Sequence, residues 1–283
     1  MRVISRRSGD DVQVFDEALE PLRIFPLPPD VWSWSVSSAR DSLVYATDDA
    51  VVRIDPAGRE RWRFELGPRG EYAGSFLVDA VFSADDALVW VYAPQAEADR
   101  GEQDEWIVLD AATGAPRRRF PLDSAGHGGG QHPFRDGRML LDVGEGQDGT
   151  RVYLAAPDGE PLDLGWADRV PIGVAPDESQ IMTVEYEQGD VAFHDFPSGV
   201  VRFRLGPEAF GYSAVEFAGG YLDAETAIVV VSDGESWRHF RVGTGTGEIL
   251  GDLGIVTMEP DDLEPLGDGT YVITDTDGTL RRM

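Results

Sequence analysis

Two of the four histidines, His127 and His132, stand five residues apart in the stretch 124–132, SAGHGGGQH, with Gln131 between them. Imidazoles at such a spacing, helped by nearby carboxylates, could hold a divalent metal or pass a proton. The surrounding residues complete neither device. There is no His-x-Glu and no His-Glu-x-x-His arrangement, and three consecutive glycines are poor support for ligands. His127, Gln131 and His132 are therefore candidates for binding, with no catalytic residue, metal or cofactor expected. The acidic turns Asp275-Thr276-Asp277-Gly278 and Ser232-Asp233-Gly234 hold too few ligands for a calcium loop and read as hairpin turns. No Gly-x-Ser-x-Gly elbow, paired-glycine dinucleotide loop or phosphate loop occurs. With 52 acidic residues, pairs of carboxylates arise by chance and do not point to a glycosidase.

Aromatic side chains offer a second kind of chemistry, recognition without reaction. Arg63-Phe64-Glu65-Leu66-Gly67-Pro68 leads to Tyr72, and Arg202-Phe203-Arg204-Leu205-Gly206-Pro207 leads to Tyr212. Trp32 and Trp34 follow Pro28-Pro29 in an equivalent place. Aromatics next to arginine are the usual anchors of an interaction patch. Trp32, Tyr72 and Tyr212 therefore join the candidate binding set. Packing at the ends of the strands is the competing role for Trp34, Tyr72 and Tyr212.

The charge balance narrows the partners. The net charge of −28 argues against nucleic acid and anionic membrane surfaces, which require clustered cations. It suits a protein or peptide partner, a basic one included. Every basic residue other than histidine is an arginine, and asparagine is absent as well. Schiff-base catalysis, a phosphate-loop lysine and Asn-linked glycosylation are thereby excluded. The lack of cysteine removes disulfides, thiolate nucleophiles and cysteine-ligated metals. The opening MRVISRRSGDDVQVF turns charged before an apolar core forms, so no signal peptide is expected. No run approaches the roughly 18 apolar residues of a membrane span, and the cytoplasm is the expected compartment.

The elements that must position these residues form a repeat. Val51-Val52-Arg53-Ile54, a break at Asp55-Pro56-Ala57-Gly58 and Arg61-Trp62-Arg63-Phe64-Glu65-Leu66 spell two strands joined by a tight turn. Versions of this hairpin start near residues 12, 51, 106, 152, 191, 239 and 279, a mean step of about 44–45 residues. Two further strands precede each complete hairpin, as in 76–92 and 172–184. Periodicity is of two throughout, and no helix-length amphipathic stretch competes with it. A lone four-stranded sheet cannot bury both faces, so the sheets must stack as blades.

Phe82-Ser83-Ala84-Asp85-Asp86-Ala87-Leu88-Val89 resembles the F-S-P-D-G-x-x-L/V turn of WD-repeat propellers. Ile107-Val108-Leu109-Asp110-Ala111-Ala112-Thr113-Gly114 is similar to that family's V-W-D-x-x-T-G. The Trp-Asp dipeptide and the Gly-His pair are missing, and quinoprotein-type and lactonase-type propellers share the hairpin. The resemblance implies one all-β domain over residues 1–283, a β-propeller of four-stranded blades. Seven blades are favoured and six, with a blade shared by the chain ends, is the alternative. In such folds the loops between second and third strands and those leading to the next blade open on one rim, which would place 94–105 and 124–132 side by side. The expected function is a non-catalytic protein or peptide interaction scaffold using that rim. The alternative is a lactonase-like or other hydrolase with a metal or acid/base site in a central funnel.

Overall fold

A computed structural model describes residues 3–29, 31–71, 73–74 and 76–283. The described residues form seven antiparallel sheets and two single-turn 3-10 helices, with no α-helix. Each sheet is a meander whose neighbouring strands follow one another in the chain. The middle five sheets have four strands, and the first and last have three. The expected seven blades are found, one for each hairpin start, and the alternative of six falls.

The hairpins form because a carboxylate organises the turn. In the third sheet, Glu105–Asp110 turns into Pro116–Pro121. Asp110 Oδ1 accepts the backbone N–H groups of Ala112 at 3.1 Å and Thr113 at 3.0 Å, and the Thr113 hydroxyl at 2.9 Å. Its other oxygen takes Arg117 of the outer strand at 2.6 Å. Arg117 and Thr113 together hold the Asp110 carboxyl down at about 2. The same clamp recurs as Arg59 and Arg61 on Asp55, Arg202 on Asp195 and Arg281 on Asp275. Two kinds of satisfied acceptor, backbone and guanidinium, thus sit at one side chain per turn.

The chain divides into two compact units, residues 3–167 with four sheets and residues 168–283 with three. Within the first unit the second strands are buried on both faces: every residue of Leu43–Ala46 and of Leu88–Ala93 is buried. One face of the third sheet packs Val89, Val91 and Ile107 onto Val44, Val51 and Trp62 of the second sheet. Its other face packs Trp90, Tyr92 and Trp106 onto Met139, Leu141 and Val143 of the fourth. In the second unit, Met182, Val184 and Phe193 of the fifth sheet meet Tyr221, Val229 and Val231 of the sixth. Leu222 and Ile228 meet Leu263, Tyr271 and Ile273 of the seventh.

Trp90 and Trp106 are fully buried, their rings 4.8 Å apart. The Trp106 indole N–H donates to Gln131 Oε1 at 2.8 Å, whereas that of Trp90 has no partner among the described residues. Replacing Trp106 by Phe strands a polar oxygen; replacing Trp90 by Phe removes a donor that was already unsatisfied. Urea unfolding should show Trp106→Phe costing about 1–2 kcal/mol more than Trp90→Phe. In the second unit His239 is fully buried, and burial pulls its imidazole from 6.5 down to about 4. The folded chain favours the neutral ring, so its contribution to stability is complete above pH 6.5 and lost as the pH falls through 4. His239→Phe should move the midpoint of acid unfolding to lower pH, read by circular dichroism.

Candidate functional site

Backbone hydrogen bonds join described residues of three connections of the first unit: 66–71 with 73–74 and 76–78; 94–104; and 122–127. The second and third are joined at Asp104, which is fully buried. Its carboxylate accepts Tyr92 Oη at 2.8 Å, Ser124 Oγ at 3.0 Å and the N–H of Gly126 at 2.7 Å. Burial outweighs these bonds and raises its carboxyl above the usual range. Leu122 N donates to Asp104 O at 2.9 Å, Gly70 N to Ala98 O at 2.8 Å and Gly74 N to Glu97 O at 3.0 Å. Arg100 caps the layer by donating to Asp48 O at 2.5 Å and Asp49 Oδ1 at 3.0 Å while lying over the Phe76 ring. Of the stretches 94–105 and 124–132 expected side by side, only the opening residues of the second, Ser124 to His127, lie against the first, and the contacts tie them to the sheets.

The stretch 124–132 is only partly a loop. Gly128–Pro133 is the first strand of the fourth sheet, paired along its length with Met139–Gly144. The glycines serve close approach: a Cβ on Gly130 would stand 2.8 Å from Asp142 Oδ1, and one on Gly129 would collide with the Asp142 carbonyl. Because the stretch is a strand, His127 and His132 sit at its two ends, roughly 16 Å apart at about 3.3 Å per residue. His127, half exposed, has Nδ1 3.6 Å from Glu97 Oε2. His132 pairs in register with Leu140. The two imidazoles do not converge, and the described residues contain no group of three or more His, Cys, Asp or Glu able to hold a metal.

The first unit also carries a cleft of about 350 Å³ lined by Trp32, Ser33, Trp34, Leu77, Val78, Asp79 and Gly129. It exists because the first strands of three sheets, Ser33–Val36, Asp79–Phe82 and Gly128–Pro133, are neighbours. Asp79 Oδ1 accepts Ser33 Oγ at 2.5 Å and Oδ2 accepts Gln131 Nε2 at 2.8 Å, so Gln131 links the cleft to buried Trp106. Burial raises the Asp79 carboxyl. Asp142, opposite Gly130, is pushed up to about 7, first by burial and then by the Asp79 charge. Trp32 stands at the mouth, 73% exposed, beside Leu77 at 48%.

Of the residues singled out in the sequence, Trp32 lines the cleft and Gln131 buttresses it. Tyr212 belongs to the other unit and packs edge-on against Phe240 at 6.2 Å, the packing role left open for it. Tyr72 lies outside the described residues. Sequence reasoning missed Asp79, Asp142, Ser33 and Asp104. The available signal was a single acid inside an apolar run, Leu77-Val78-Asp79-Ala80-Val81-Phe82 and Met139-Leu140-Leu141-Asp142-Val143, since such acids are seldom buried without a role.

Asp142 gives a pH test. Its protonated form is favoured in the fold, so the stability it lends is complete below pH 3.8 and lost as the pH rises through about 7. Asp142→Asn should flatten the decline in melting temperature between pH 5 and pH 8, measured by calorimetry.

No protein-family model matches the chain, and no curated protein sequence does. Solved structures do resemble it over nearly its whole length. The WD40 β-propeller domain of Doa1 is 12% identical with a TM-score of 0.61, covering 99% of this chain and 88% of that one. Hydrazine synthase of Kuenenia stuttgartiensis is 11% identical with a TM-score of 0.64, covering 99% and 91%. BBS1N in complex with ARL6DN is 14% identical with a TM-score of 0.61, covering 98% and 85%. At these identities the likeness is one of fold, WD40-like β-propeller.

Proposed function

We propose that this chain is a non-catalytic β-propeller scaffold that binds a protein or peptide segment across the loop end of residues 3–167. The observation that carries this reading is Trp32, a large indole held 73% exposed over a cleft, with Leu77 beside it. Exposed apolar surface is unfavourable in water, and aromatic side chains of this kind dominate interface energetics when a partner covers them. The knitted loops support it further, because a rim braced by Asp104 loses little freedom on binding. Among the structural neighbours, BBS1N was solved in complex with another protein, ARL6DN. Displayed random peptides panned against the wild-type chain should enrich binders, and Trp32→Ala with Leu77→Ser should weaken them at least about tenfold. Failure to enrich any peptide, or equal binding to the double variant, overturns the reading.

A second reading keeps an enzyme in view, because Asp142 at about 7 beside Asp79 has the protonation of a general acid at neutral pH. It requires a hydrolase activity that Asp142→Asn abolishes, and a screen on ester, lactone and glycoside substrates that finds none ends it.

A further inference from the structure

We propose that the cleft binds the arginine side chain of a basic, extended protein segment, its guanidinium stacked on the Trp32 indole and hydrogen-bonded to the Asp79 carboxylate. The proposal rests on the loop end of residues 3–167 being the binding surface, and it names the chemistry of the occupant.

Charge is the first argument. Several carboxylates at the ends of strands are met by arginine, Asp110 by Arg117, Glu105 by Arg119, Asp195 by Arg202 and Asp268 by Arg282, while others at solvent-exposed turns, such as Asp16 and Asp233, take backbone N–H groups. Among the described residues Asp79 is met by neutral donors, the Ser33 hydroxyl, the Gln131 amide and the Ala80 N–H. Three donors leave the carboxylate with accepting capacity, and no cation pairs with it among the described residues. A carboxylate partly withdrawn from water without a counter-charge gains from a cation that supplies one. The surplus of 52 acidic over 24 basic residues makes a basic segment the complementary partner.

Shape is the second. The cleft wall contributed by the fourth sheet is glycine, so a planar group can lie against backbone there. Its mouth is an indole, the ring that attracts cations best. An arginine side chain combines an apolar stem for Leu77, a flat face for Trp32 and a fork of donors for Asp79. A lysine offers the charge without the plane or the fork. The strand Gly128–Pro133 behind the cleft is fully paired on its Met139–Gly144 side, which keeps the wall in place when the mouth is occupied.

The test uses a short blocked peptide, glycine-arginine-glycine repeated, against the same peptide with citrulline, the neutral isostere. Titration at physiological salt, followed by the indole N–H resonance of Trp32, should show a shift with the arginine peptide and none with citrulline. Affinity should fall about tenfold or more in Asp79→Asn and in Trp32→Ala, the size expected for a desolvated cation–aromatic and charge-assisted contact. Glu160→Gln, the same loss of charge at an exposed residue, should leave affinity unchanged. Equal weakening by Glu160→Gln and Asp79→Asn would assign binding to the general acidic field and overturn the proposal, as would equal binding of citrulline. Should Asp79→Asn fail to fold, the exposed Trp32→Ala carries the comparison. If displayed peptides bind through Trp32 and Leu77 yet carry no arginine and ignore Asp79→Asn, the rim still binds peptides and only the arginine subsite falls. If nothing binds, the surface itself is wrong.

Discussion

The structure depends on second strands that are apolar on both faces. Leu43–Ala46 and Leu88–Ala93 have no polar side to turn to water, so each sheet needs a neighbour on either side. At roughly 25 cal/mol per Å² of apolar surface removed from water, that stacking is the dominant favourable term. It also explains why the outer strands look so different. Pro116–Pro121 and Val201–Leu205 are largely exposed and rich in arginine, and they are secured by carboxylate clamps at the turns rather than by burial. The charge on such edges also discourages pairing between chains.

The first strands stand between these extremes, and the candidate site follows from that. They must pack beside one another while ending in loops, so their opening residues face a confined, partly wet space. Ser33, Asp79 and Gly129 are all at such positions. Asp79 keeps its place through Gln131, whose amide oxygen takes the Trp106 N–H from the core. A continuous hydrogen-bonded line thus runs from the tightest packing in the unit to the cleft. Rigidity there comes from the core; the loops add bracing through Asp104.

Much of the fold was legible in the sequence because hairpins are local. The turn at Asp110-Ala111-Ala112-Thr113-Gly114 carries its own acceptors and donors within a few residues, so its pattern repeats visibly at the blade period. The strand Gly128–Pro133 looks like a loop in the sequence for the opposite reason. Its glycines show no alternation, and the partners that require them, Asp142 and Tyr92, come from other strands. Trp32 could be picked out by type, since a large aromatic after a Pro-Pro pair at a strand end is unusual. Asp79 could not be tied to Gln131 or Trp106, because those partners lie far along the chain and only the stacking of sheets brings them together.

The acidity of the chain also takes on structure. Its carboxylates fall into two populations with opposite behaviour. Turn carboxylates such as Asp110 are held low by arginine and backbone donors, so they are ionised whenever the fold is intact. Interior carboxylates such as Asp79, Asp104 and Asp142 are held high by burial, with no arginine on their oxygens among the described hydrogen bonds. The first population stabilises hairpins and makes the surface soluble. Within the second, Asp104 has four donors on its carboxylate and is spent on bracing the loops, whereas Asp79 opens on a cleft. A half-buried carboxylate that faces an accessible space, has acceptor capacity left and sits under an exposed indole differs from the rest of the acidic surface in kind. Net charge alone would spread a basic partner over the whole acidic surface, whereas the proposed arginine subsite would give such a partner one place to dock.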